Sequence, residues 1–156
     1  DPKMIRGRVQ TFVEFWPHYL AKHRSPVCRH LNFIGISGLL AFISFGFVVS
    51  PAQTSLSVLI LLLGVSVFLR KVEAHRPAPR VFAMLMLAAI AVNPAQLAPG
   101  LVFAYFFAWV GHDQLEGNRR TLLSYPGWSL LADFRLYFLM LRGRLWTRSS
   151  FARAEF

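Results

Sequence analysis

Five histidines and seven carboxylates are the groups in this sequence that could bind a metal or move a proton: His18, His23, His30, His75 and His112, with Asp1, Glu14, Glu73, Asp113, Glu116, Asp133 and Glu155. The tightest local pattern is GHDQLEGN, in which His112 and Glu116 stand four apart and share a face if the segment is helical. Imidazole plus carboxylate suits iron, manganese or zinc, and two His with one carboxylate leave coordination positions open for oxygen and substrate. Taken alone, that spacing is more often a helix-end pair than a ligand pair. His23 and His75 join it only if the fold gathers distant segments. His30, seven residues after His23, reads as a third ligand or as an interface residue, and His18 in WPHYL reads as interfacial. A lone cysteine, Cys28, excludes an internal disulfide and a thiolate cluster, and no Gly-x-Ser-x-Gly nucleophile motif occurs.

Hydrophobicity is what must position these groups. The chain has 156 residues, enough for one domain, and is 55% hydrophobic and 15% charged, which excludes disorder and points to a membrane. From Leu31 to Val49 there is no charge, and at about 1.5 Å per residue such a run crosses a hydrocarbon core of roughly 30 Å. Ser50 to Gln53 reads as a turn, and NPAQLAP over 93–99 as a break between two further short runs. The expected architecture is all-α, an integral membrane four-helix bundle with spans at about 31–49, 54–69, 81–95 and 97–111. A re-entrant hairpin is the competing form of the last two, since runs of ten to fourteen apolar residues are ambiguous. Amphipathic helices are expected at both ends, over about 4–22 and 128–145. Their apolar faces suit the membrane interface or packing against the bundle, and the two are compatible.

Charge placement sets the orientation. Of the 17 Lys and Arg, six lie in residues 1–30, four in 70–80 and seven in 119–153, with none in the turns 50–53 and 93–99. Four crossings put every basic residue on one side, which the positive-inside rule makes cytoplasmic, with both termini there. A bacterial inner membrane is expected, or the endoplasmic reticulum in a eukaryote. Membrane orientation explains the basic residues, so nucleic acid is not an expected partner. No charge lies within an expected span, which disfavours a transporter. The N-terminal DPKMIRGRVQ lacks the pattern of a signal peptide. The same four crossings bring all five histidines to a single membrane face. An arginine or two of the basic loops would there hold the carboxylate of an acyl substrate whose tail lies among the helices.

Two blocks then carry a resemblance: FVEFWPHYLAKHRSPVCRHLNFIGIS over 12–37 and WVGHDQLEGNRRTLLSYPGWSLLADFRLYFLML over 109–141. They resemble the two signature blocks of the 2-hydroxy-fatty-acid dioxygenase family, small multi-helix membrane proteins. The resemblance implies an Fe(II)-dependent enzyme that uses O2 to shorten a long-chain 2-hydroxy fatty acid by one carbon, in fatty acid α-oxidation. Position by position, the family's first histidine falls on His23, followed by Pro26 and Arg29. The Gly-His and Glu of the second block fall on His112 and Glu116, and a later acidic position on Asp133. This implies a catalytic set of His23, His112 and Glu116, and Fe2+ held by His23, His75, His112 and Glu116 with His30 as a fifth ligand. Arg29, Arg76, Asn32 and Asp133 are the expected substrate-binding residues. The chain departs from the family where a second histidine usually stands nine residues after the first; here that residue is Asn32, a poorer iron ligand. Either His30 or His75 would then substitute, or the protein binds metal weakly, or it has another activity. A noncatalytic lipid-binding or scaffold protein, with interfacial histidines and arginines holding anionic lipid, is the alternative.

Single-cysteine variants on a Cys28→Ala background check the topology. Cysteines at 75 and 112 are expected to react from one side of the membrane, and cysteines at 52 and 96 from the other.

Overall fold

The computed structural model describes residues 11–73, 79–111 and 126–147, with the side chains of 68–73, 79 and 126–127 outside that description. Every regular element among the described residues is helical: α1 (Phe12–Ala21), α2 (Pro26–Val49), α3 (Pro51–Glu73), α4 (Pro79–Val92), α5 (Pro94–Trp109) and α6 (Pro126–Leu141). The chain is therefore all-α, as the periodicity predicts. Of these, α2 is long and apolar enough to cross a membrane by length and composition.

Proline sets the helix starts. It has no N–H to leave unsatisfied in a first turn and its φ is already helical, so α2 to α6 each open on one. This moves the observed ends away from the expected ones. The break expected over 93–99 narrows to Asn93 alone, because Pro94 begins α5 at once and Pro99 is carried inside it. The turn at 50–53 likewise narrows to Ser50. Both corner residues take nearly the same backbone conformation, φ −145°, ψ 71° at Ser50 and φ −141°, ψ 68° at Asn93, the non-helical geometry a following proline imposes.

The two corners meet. Asn93 Nδ2 donates to Thr54 Oγ1 at 2.8 Å, and one turn further Ser57 Oγ donates to the Ala89 carbonyl at 2.9 Å. These are the buried polar groups of the α3–α4 seam, and each is satisfied across it. On the other side, α5 lies antiparallel along nearly all of α2. Gln96 is beside Gly46, Gly100 beside Leu39 and Phe42, Ala104 beside Gly35, and Gly111 beside Cys28. Absent side chains permit this approach: a Cβ on Gly35 would stand 3.1 Å from the Ala104 carbonyl oxygen. From Cys28 to Gly46 the paired length is about 27 Å at 1.5 Å per residue.

The main apolar core lies at one end, not between the long helices. Phe15, Tyr19 and Leu20 of α1 interlock with Trp128, Ala132, Leu136 and Met140 of α6, closed by Leu145. The apolar residues expected to lie in the membrane interface at 4–22 and 128–145 thus largely pack on one another; residues 4–10 lie outside the described residues. Arg135 caps this contact from outside, its guanidinium 4.3 Å from the Trp16 ring centroid. By contrast Phe45, Leu59, Leu87 and Val102 of α2 to α5 are exposed. After α6 the chain reverses at Gly143 (φ 76°) instead of continuing helically to 145, a conformation glycine adopts without strain.

Leu136→Ala removes a fully buried side chain and is expected to destabilise the fold by roughly 2–5 kcal/mol. Phe138→Ala, on the exposed side of α6, is expected to shift the melting temperature far less. Thermal unfolding of the two purified variants checks the contrast.

Candidate functional site

α1 ends at Ala21 and α2 begins at Pro26, and the linker between them carries His23 into the core end of the bundle. His23 is fully buried. Its imidazole stacks on the Tyr19 ring at a centroid distance of 4.1 Å, and its Nδ1 lies 2.9 Å from the Tyr19 carbonyl oxygen. A carbonyl only accepts, so Nδ1 is the donor in this contact. Anchoring of one ring nitrogen on a backbone carbonyl is the usual arrangement of a histidine that ligates a metal through the other.

Tyr19 joins His23 to α6. Its hydroxyl donates to Asp133 Oδ1, and Asn32 Nδ2, from α2, donates to the same oxygen at 2.9 Å. Three elements therefore converge on one carboxyl. Burial pushes the Asp133 pKa up to about 6, against the smaller opposing effect of its two donors. Burial, reinforced by the charge of Asp133 and the hydrogen bond to it, raises the Tyr19 hydroxyl well above its ordinary value. Tyr19 thus stays a donor across the physiological range.

Arg29 sits beneath this group and is fully buried. Nε donates to the Leu145 carbonyl at 2.6 Å, one terminal nitrogen to the carbonyls of His23 (2.8 Å) and Arg24 (2.7 Å), and the other to that of Thr147 (3.1 Å). The residue expected to hold a substrate carboxylate is instead a clamp between the α1–α2 linker and the C-terminal strap. Its guanidinium fork, rigid and always charged, suits several carbonyls at once. Leu145, at φ 64°, is held in that strained conformation by burial in the core and by its bond to Arg29.

Of the other expected ligands, His30 packs its ring 5.1 Å from Trp146, and its Nε2 has no hydrogen-bond partner among the described residues. His75, Arg76, His112 and Glu116 lie outside the described residues. Gly111, which precedes His112, abuts Cys28 at the start of α2, so α5 terminates at the same end of the bundle as His23. Among the described residues no three His, Cys, Asp or Glu groups come together to hold a metal. The described chain offers His23 as one imidazole whose burial and backbone anchoring are compatible with metal ligation. Tyr19 is the site residue that sequence reasoning missed. Its signal is the four-residue spacing to His23, which puts both on one face.

Asp133 binds its proton more tightly folded than unfolded, where its pKa is near 3.8. The folded state therefore holds more protons between these values, and stability is expected to fall as pH rises from about 4 to about 6. Melting temperatures over this range check the sign, and Asp133→Asn is expected to flatten the slope.

Neither a curated protein nor a solved structure matches the chain. Residues 9–145 do match the Mpo1-like family, described as 2-hydroxy-palmitic acid dioxygenase Mpo1-like, and the chain belongs to that family.

Proposed function

We propose that this protein is a membrane-embedded Fe(II)-dependent dioxygenase that shortens long-chain 2-hydroxy fatty acids by one carbon, with its site at the cytoplasmic end of the bundle. The observation that carries the reading is the meeting of His23, Tyr19, Asn32 and Asp133 at one end of long apolar helices, inside the region matched to a family named for such an activity. Two features support the membrane part. The apolar window of α2 is only 22% buried, whereas the core helix of a soluble protein is mostly covered. And α5 runs beside α2 from Gly46 to Cys28, which favours full crossing of α5 over a hairpin dipping partway.

In this proposal His23, His75, His112 and Glu116 hold the iron, with His30 as a fifth ligand. Iron, when bound, supplies the redox chemistry with O2. The chain supplies geometry: the Tyr19 carbonyl fixes the His23 ring, and the Tyr19 hydroxyl and Asn32 amide fix the Asp133 carboxyl. Arg76 is the remaining arginine proposed for the substrate carboxylate. The acyl tail lies along apolar side chains, where each buried CH2 contributes about 0.8 kcal/mol. A noncatalytic lipid-binding role is the alternative, favoured by the Asn32 amide where the family usually has a histidine.

Elemental analysis of the purified protein and oxygen consumption with 2-hydroxyhexadecanoate separate the two. The enzyme is expected to carry iron and to consume the acid with oxygen, and His23→Ala and His112→Ala to lose both. Bound lipid without iron, and a melting temperature indifferent to chelator, would select the lipid-binding role.

A further inference from the structure

Asn32 is nine-tenths buried, yet only its Nδ2 is engaged, on Asp133 Oδ1. Its Oδ1 has no hydrogen-bond partner among the described residues. Leaving an amide oxygen buried and unpaired is costly, so such an atom calls for a donor. Asp133 takes both of its hydrogen bonds at Oδ1, from Tyr19 and Asn32. One turn earlier on the same face of α6, the buried Ser129 hydroxyl is also without a partner. The α2–α6 seam therefore holds a buried amide oxygen on α2 and a buried hydroxyl on α6, each without a partner among the described residues.

What the amide oxygen recognises is an O–H group on a mostly apolar molecule. Just beyond it the seam turns aromatic, with Phe33 stacked on Tyr137 at 4.8 Å and Ser37 Oγ 3.4 Å from the Tyr137 hydroxyl. Contacts 32–133 and 37–137 run in the same direction, so the polar pair is the head of this seam and the rings lie further along it.

We propose that Asn32 Oδ1, held in place by the bond from its own amide to Asp133, accepts a hydrogen bond from the 2-hydroxyl of the acyl substrate and so selects hydroxylated over plain fatty acids. The assignment rests on the function proposed above and gives the residue at the departed family position a task other than metal ligation. It makes Asn32 a specificity residue and Asp133 its positioning residue. A site built to pair an O–H rejects the analogue that lacks it, because its own acceptor is then left unpaired.

The test measures binding of 2-hydroxyhexadecanoate and hexadecanoate to the metal-loaded full chain in detergent. Wild type is expected to prefer the hydroxy acid by about tenfold or more, the effect of one well-made hydrogen bond. Asn32→Leu is expected to lose the preference by weakening the hydroxy acid alone, with metal content unchanged. Asn32→Ala removes the same oxygen and carries the same expectation should Asn32→Leu not fold. Equal binding of the two acids by wild type, an undiminished preference in the variants, or loss of metal from folded Asn32→Leu overturns the proposal. The first result leaves a fatty-acid enzyme that ignores the hydroxyl, and the last makes Asn32 a ligand. Failure of wild type to bind either acid overturns the proposed function as well.

Discussion

The Arg29 guanidinium holds this structure together at the point where the α1–α2 linker meets the strap that follows α6. Four main-chain oxygens, from His23, Arg24, Leu145 and Thr147, converge on one buried cation. Neither partner segment has regular structure of its own to satisfy those carbonyls, and unpaired they would be costly to bury. The cation resolves both problems, since backbone oxygens carry partial negative charge and the guanidinium offers its donors in a fixed plane. The dependence propagates outward. Fixing the linker fixes the position of His23, and fixing the strap seats Leu145 in the core and Trp146 against His30.

Much of this was readable from residue types alone. Long uncharged runs punctuated by Ser-Pro and Asn-Pro give helices with corners between them, and the corners prove narrower than expected because proline both breaks one helix and starts the next. The convergence of His23 and Asp133 at one end followed from topology and from resemblance. Tyr19 was not legible as a site residue, because an aromatic at helical spacing has the same pattern whether it fills a core or orients an imidazole. The main-chain role of Arg29 was not legible for a different reason. An arginine's partners are usually sought among acids or substrate groups, and nothing in sequence marks four carbonyls a hundred residues apart as a single binding cradle.

Two kinds of packing coexist in the molecule. At the α1–α6 end, large side chains interlock and exclude solvent as in a water-soluble core. Along α2 to α5, glycine and alanine let backbones approach while large apolar side chains point outward. The first arrangement gains from removing apolar surface from water. The second gains little that way if the surroundings are themselves apolar, and relies on close contact and satisfied polar groups. The boundary between the two regimes falls at the level of Asn32 and Asp133, where a carboxyl can be partly desolvated yet still reachable.

The paired corners at Ser50 and Asn93 act as a phase lock for the whole assembly. Each linker is one residue, so inserting or deleting a single position would turn the following helix by about 100° relative to the one before it. Thr54, Ser57, Gln96 and Gly100 would all leave their partners together. A change of length at either corner would therefore dislocate the polar α3–α4 seam and the glycine-lined α2–α5 contact, so the scaffold tolerates no slack there.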